Sequence, residues 1–224
     1  IAGTWSINEY LSRDPVMDGS VMMNSFACLP GYYLVEECSP TSAGNVEWFI
    51  DTLLPELRDR AAVSGTPGVY GLMNEWVSRT PPETVCPVFL PFLMASNVHP
   101  NAQGCFVGVS NYHTRAHLSR GIYEGVAFSH RCHLERLLKT KKTPTESIRL
   151  AGGTAKSRLW TQMFADVMNL PVEAVDANET GVLGCAVIGA VAVGDYGSFS
   201  EAASRMCRMA PPCFPVERNV EIYQ

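Results

Sequence analysis

Three short turns of small residues carry the candidate chemistry of this sequence: Gly3-Thr4, Ala43-Gly44-Asn45 and Gly152-Gly153-Thr154. Each falls where a strand or helix is about to begin. Glycine lets backbone approach a ligand with no Cβ in the way, and a turn that opens a helix presents free N–H groups and the positive end of a dipole. Phosphate or a nucleotide is the commonest occupant of such a turn. A Gly-Thr pair adds a hydroxyl to its two N–H groups. The competing reading of each is a plain turn in which glycine supplies a positive φ.

Other chemistry-bearing patterns are weaker. His113 and His117 form an H-x-x-x-H, the spacing at which two imidazoles on a helix can meet one metal ion. The Glu that follows the first His in zinc hydrolases is missing, and His113 falls before the helix begins, so no metal site is assigned. His130 and His133 read as surface or partly buried residues on the outer half of the same helix. There is no G-x-x-x-x-G-K-[ST], no G-x-G-x-x-G and no G-x-S-x-G, so neither a P-loop, a dinucleotide fingerprint nor a hydrolase elbow explains the glycines.

The elements that would position these turns follow from periodicity. Residues 1–12 read as a strand interrupted by the Gly-Thr turn, and 21–39 as two strands joined at Pro30 and Gly31, making an opening β-meander. The spacing of Val46, Phe49, Ile50, Leu53, Leu54 and Leu57 predicts a helix over 43–62 with a kink at Pro55, and a second helix follows over 69–77. Strand segments at 86–96 and 104–110 precede a long helix with Thr114 as N-cap, reaching residue 138, whose inner face carries Leu118, Ile122 and Val126. A strand over 148–151 then runs through Gly152-Gly153 into a helix presenting Leu159, Met163 and Val167. A short strand at 171–176, a Gly/Ala-rich helix over 181–193 read as closely packed core, and a last helix over 199–209 complete the chain. The order is α+β first and alternating α/β later, in one domain.

Composition narrows the function classes. The chain has 224 residues, 46% hydrophobic and 17% charged, enough to bury a substantial core. Its formal charge is −5, with basic residues scattered apart from Lys139, Lys141 and Lys142, which argues against a nucleic-acid or anionic-membrane surface. Eight cysteines without a C-x-x-C pair read as buried thiols of a cytoplasmic protein. The longest apolar run, 182–193, is too short to span a bilayer. A start at Ile1, directly in strand-like sequence, suggests a fragment of a longer polypeptide.

Taken together, the motifs resemble the C-terminal half of the FGGY carbohydrate kinases. "GTWSIN" is similar to that family's Gly-Thr turn at the terminal phosphates, and "SAGNVEWF" to the stretch before a helical Trp that lines the nucleotide cleft. "GCFVGVSNYHTRAHLSRGIYEGVAF" resembles its second signature, with Gly121 where Ala or Ser is usual. "LAGGTAKSRLWTQMFADVMNLPV" and "ETGVLGCAVIGAVAVG" resemble its adenosine-binding turn and the neighbouring helix. Ser96, Asn97 and Val98 stand in place of a Gly-Glu-Arg, and with "EGVAFSH" this is similar to the L-xylulose (pentulose) kinase branch.

The resemblance implies a ribonuclease-H-like, actin-like α/β domain with a mixed sheet flanked by helices. It implies that Gly3, Thr4, Gly44, Asn45, Gly152, Gly153 and Ser157 bind ATP, with Ser157 hydrogen-bonding the base and Mg2+ accompanying the phosphates. The partners it implies are ATP, a sugar and an N-terminal kinase domain, and it leaves room for a homodimer. The family's catalytic aspartate lies just upstream of the Gly-Thr turn, and Asp14, Asp18 and Asp51 do not match it. No catalytic residue is therefore assigned, and the chain alone is expected to be inactive. Ile7 is read as apolar core, with the sugar side as its other placement. A non-catalytic nucleotide-dependent scaffold of the same superfold is the alternative, and a hydrolase built on His113 and His117 a poorer third.

Overall fold

The computed structural model describes residues 1–58 and 68–224. The first layer is an antiparallel sheet of β1 (Ser6–Ser12), β2 (Met23–Phe26) and β3 (Tyr33–Ser39), with β3 between the other two. Ser6 pairs with Ser39 and Ser12 with Tyr33, while Met23 pairs with Glu36 and Phe26 with Tyr33. The expected meander is therefore corrected. The β2–β3 hairpin turns at Pro30-Gly31 as expected, with Gly31 at φ +78°, but residues 13–22 carry the chain past β3, leaving β1 and β2 on opposite edges.

Helix α1 (Gly44–Leu53) buries Val46, Phe49 and Ile50, one stripe of a 3.6-residue period. Leu54, squeezed by the ring of Pro55, leaves the helix at φ −135°. The helix expected over 43–62 thus breaks at Leu54, and its last part, from residue 59, lies outside the described residues. Helix α2 (Val69–Ser78) buries Val69, Met73 and Val77. Strands β4 (Val88–Leu90) and β5 (Cys105–Val107) form a small antiparallel pair.

Helix α3 (Arg115–Thr140) is the spine of the fold, packing on α1, α2, β1, β3 and β4. It begins after Thr114, whose backbone N–H donates to Nδ1 of His117 at 3.1 Å. Ile122, Val126 and Ala127 are fully buried. Toward β4 the helix comes so close that a Cβ at Gly121 would strike the carbonyl oxygen of Pro87, and one at Gly125 that of Phe89. Gly121, a mild departure in the signature, is what permits this approach. In the second turn of α3 the buried Arg120 pairs with Glu124 at 2.6 Å and donates to Tyr223 Oη and to the carbonyl of Thr80. That anchors α7 (Glu217–Tyr223), a helix not expected from periodicity, although Val220 and Tyr223 are its buried i, i+3 pair.

Strands β6 (Ile148–Leu150) and β7 (Val172–Ala174) pair in parallel, Ile148 opposite Val172. Between them run a 3₁₀ turn (Gly153–Lys156) and α4 (Arg158–Met168), which starts on a Ser157 cap and ends at left-handed Asn169. Trp160 of α4 stacks on Tyr123 of α3 with ring centroids 4.1 Å apart. The unit is a compact β–α–β connection, as its sequence order implied. Helices α5 (Thr180–Ala192) and α6 (Phe199–Met206) follow and pack on one another.

Three expectations about burial are corrected. Helix α5 is not closely packed core: of its residues only Val187 is buried, and Val182 is 68% exposed. Its apolar character runs all round, so no stripe marks a facing direction. The cysteines are not mainly buried either: Cys28, Cys105, Cys132 and Cys185 are exposed, and only Cys38 and Cys213 are buried. His130 and His133, taken as outer residues, are 2% and 4% exposed because α3 turns that face onto the β1–β3 sheet. Among the described residues no helix is long and apolar enough to cross a membrane.

Gly125→Ala is expected to lower the urea midpoint by the equivalent of roughly 1–3 kcal/mol, because the added methyl must push α3 off β4. An unchanged midpoint would show that the helix can shift without cost.

Candidate functional site

The structure brings the three glycine turns together. Ala2 is the meeting point: its N–H donates to the carbonyl of Ala151 at 2.8 Å, and its carbonyl accepts from Thr154 Oγ1 at 3.0 Å. Gly152, at φ +104°, lies against it, and a Cβ there would sit 2.6 Å from the Ala2 oxygen and 3.2 Å from the nitrogen of Gly3. On the other side Ala43 N–H donates to the Gly3 carbonyl at 2.8 Å. A Cβ on Gly44 would touch Thr4 at 3.5 Å. The start of α1, the Gly3-Thr4 turn and the Gly152-Gly153 turn are thus one continuous surface.

The two glycines of the pair have different jobs. Gly152 is required by its left-handed backbone and its contact with Ala2. Gly153 faces open space, and a Cβ added there would have no neighbour within 4 Å. It borders a polar cleft of ≈ 460 Å³ that also touches Lys156, Asp176 and Glu179. The cleft lies beyond the carboxyl ends of β6 and β7, where parallel strands of α/β proteins place ligands. Asp176 and Glu179 were not singled out from sequence. The signal for them was the polar loop "DANET" following a strand.

The remaining expected residues differ in availability. Thr4 is exposed, and neither its N–H nor its hydroxyl meets a partner among the described residues. Asn45 is fully buried, its amide donating to Thr41 Oγ1 at 2.8 Å and to the Ser42 carbonyl at 2.6 Å. It shapes the loop from within. Ser157 Oγ accepts from Trp160 N–H at 3.2 Å and donates to Asn74 Oδ1 at 2.9 Å. A base contact from this hydroxyl has to replace the Asn74 bond.

Other motif residues are placed elsewhere. His117 is occupied by the α3 cap, and His113 Nδ1 accepts from Ser110 N–H at 2.9 Å. Asp14 lies at 3.7 Å from Lys142 on the surface, Asp18 accepts from Ser20 in an exposed turn, and Asp51 pairs with Arg58 at 3.0 Å. None of the three borders the glycine turns. In the Ser96-Asn97-Val98 stretch, Asn97 donates to the carbonyl of Cys38 at 2.8 Å, and Ser96 Oγ accepts from Val98 N–H at 3.0 Å. The substituted residues thus tie that loop to β3.

Comparison with known proteins decides the family. The model of the FGGY family of carbohydrate kinases, C-terminal domain, matches residues 1–193. The chain belongs to this family. An L-xylulose/3-keto-L-gulonate kinase of Escherichia coli (strain K12) is 34% identical over 226 residues, covering 100% of the chain and 43% of that protein. A probable L-xylulose kinase of Pasteurella multocida (strain Pm70) is 33% identical over 208 residues, 92% of the chain and 40% of that protein. The chain therefore spans less than half the length of these relatives. A crystal structure of xylulose kinase from Rhodospirillum rubrum superposes with a TM-score of 0.81 at 24% identity, over 99% of the chain and 43% of that structure, which shows a shared fold. This FGGY domain thus has the actin-like α/β architecture expected of it, although its strands are hydrogen-bonded as three small sheets.

The geometry separates the two glycines experimentally. Gly152→Ala is expected to destabilise the FGGY domain by roughly 1–3 kcal/mol through backbone strain and the Ala2 contact. Gly153→Ala should stay within about 0.5 kcal/mol of the parent. Equal melting temperatures for the two variants would contradict these roles.

Proposed function

We propose that this chain is the nucleotide-binding half of an ATP-dependent sugar kinase whose substrate is a ketopentose, L-xylulose in the first instance. The observation that carries the reading is the convergence of three sequence-distant glycine turns on Ala2, Gly3 and Thr4 beside an open polar cleft. The names of the two relatives and the Ser96-Asn97-Val98 loop support the choice of sugar.

The residues present fit the group. Thr4 offers an N–H and a hydroxyl without partners among the described residues, beside the N-terminus of α1, a setting that suits phosphate oxygens. Gly153, without a side chain, leaves the adjoining cleft open to a nucleoside. When bound, ATP would supply the phosphoryl group and accompanying Mg2+ would neutralise its charge. What the protein contributes to such a transfer is positioning and preorganised N–H dipoles. This half would hold the nucleotide still while an upstream domain, occupying the remaining length of the relatives, supplies the aspartate base and most sugar contacts. The exposed face of α5 and an apolar groove of ≈ 700 Å³ beside β1, lined by Ile7, Leu134 and Leu137, are the surfaces that such a domain would cover. Lobe closure would then exclude water and limit ATP hydrolysis. A cytoplasmic location is part of the proposal.

The full-length gene product, given Mg-ATP and L-xylulose, D-xylulose, L-ribulose or glycerol in turn, should release ADP most efficiently with L-xylulose. Preference for another of these would keep the kinase and change the sugar. Nucleotide binding with no turnover on any of them favours the scaffold alternative. In the same protein Gly153→Val is expected to weaken ATP binding about tenfold by filling the cleft edge, a loss of about 1.4 kcal/mol. Unchanged affinity would remove that turn from the site.

A further inference from the structure

Among the described residues, His130 is the one imidazole with both ring nitrogens bonded to the elements that carry the glycine turns. Its Nε2 lies 2.9 Å from Ser42 Oγ, in the loop that leads into α1. Its Nδ1 lies 2.8 Å from Asn8 Oδ1 and 3.2 Å from Ser6 Oγ, on the strand that leaves the Gly3-Thr4 turn. The edge of the ring packs on Phe164 of α4, the helix that follows Gly152-Gly153, with centroids 5.3 Å apart. Ser6, Ser42 and His130 are each no more than 2% exposed. A single side chain from α3 thus touches the supports of all three turns.

The hydrogen-bond pattern also sets the proton positions. Asn8 Nδ2 donates to Ser6 Oγ at 3.1 Å and to the Glu37 carbonyl at 3.3 Å, which leaves Asn8 Oδ1 facing the ring as an acceptor. His130 must therefore carry its proton on Nδ1. Nε2 is then an acceptor, and the Ser42 hydroxyl donates to it. Burial holds the imidazole neutral, its pKa well below the usual range. The neutral ring acts as a spacer: it donates toward β1 and accepts from the α1 loop, a directional pair that an aliphatic side chain cannot reproduce.

We propose that His130 is a positioning residue for the nucleotide phosphates, setting the separation between the Gly3-Thr4 turn and the N-terminus of α1 by bridging Ser42 to Asn8 and Ser6. The proposal rests on the reading of those turns as the phosphate site. His130 touches no substrate in this role. Its effect on ATP passes through Ser42 and β1, and a sugar held by another domain should not sense it.

The test uses the full-length gene product, three single variants and one double variant, with ATP affinity from calorimetry, kcat and both KM values from steady-state turnover, and melting temperature. His130→Asn places an amide near the former Nδ1 and keeps the β1 contact while losing Ser42. His130→Gln reaches the former Nε2 position and keeps an acceptor for Ser42. Ser42→Ala removes the same link from the other side without adding volume, and its melting temperature reports any loss of folding. We expect His130→Asn and Ser42→Ala each to weaken ATP binding and raise the ATP KM about tenfold, with the sugar KM within about twofold. The double variant should lose no more than either single one. His130→Gln should recover most of the ATP affinity. Parent-like ATP affinity in Ser42→Ala would overturn the proposal, as would losses that follow melting temperature and strike both substrates alike. A parent enzyme that binds no ATP would instead bring down the phosphate-site reading itself, and the proposal with it.

Discussion

The backbone of Ala2 holds the site together. Its N–H and carbonyl both bond to residues 151–154, about 150 positions away, and the contact is possible only because Gly152 has no side chain. Hydrogen bonds of this kind are worth little individually in water. Here they are buried at the junction of β1's leading turn and β6, where leaving either group unpaired would be costly. From that junction the rest follows: the Gly3 carbonyl takes the Ala43 N–H, α1 is set down beside Thr4, and the cleft at Gly153 opens beyond the ends of the parallel strands.

Helix α3 supplies the complementary constraint. One side must approach β4 at backbone distance, which Gly121 and Gly125 allow. Its other side carries polar groups into the interior, where each needs a partner. Arg120 finds Glu124, Thr80 and Tyr223, and His130 finds Ser6, Asn8 and Ser42. Burying these groups demands a closely defined conformation, since a hydrogen-bond network tolerates less displacement than an aliphatic contact. The phosphate site proposed at these turns would be well served by such a frame. The turns themselves present neutral N–H dipoles, so a chain with a formal charge of −5 can receive an anion without a basic surface.

The apolar surface that remains has a different meaning from the core. Val182 and Ile188 stand out of a helix that sequence would bury, and Ile7, Leu134 and Leu137 give the groove beside β1 an apolar wall. A chain that covers 43% of a relative's length leaves more than half of that relative to account for. Exposed apolar faces mark surfaces meant for a partner, and these are the faces that the proposed second lobe would cover.

Much of this was legible along the chain. The small-residue turns, the Thr114 cap, the break at Pro55 and the strand–GG–helix unit are local features, written in φ preferences and hydrophobic periods that neighbouring residues decide among themselves. The family resemblance rested on the same local motifs. What the tertiary structure alone decided was facing and order. β3 lies between β1 and β2 because pairing is chosen by long-range burial, not by adjacency in sequence. A uniformly apolar helix such as α5 has no pattern from which to read which side is covered. His130 turned inward because its polar partners lie on two segments brought against α3 only by folding. The meeting of Gly3, Gly44 and Gly152 belongs to this second kind: the sequence by itself determined that each could turn tightly, and only three-dimensional packing set them side by side, since contacts across about 40 to 150 residues are specified by no local rule.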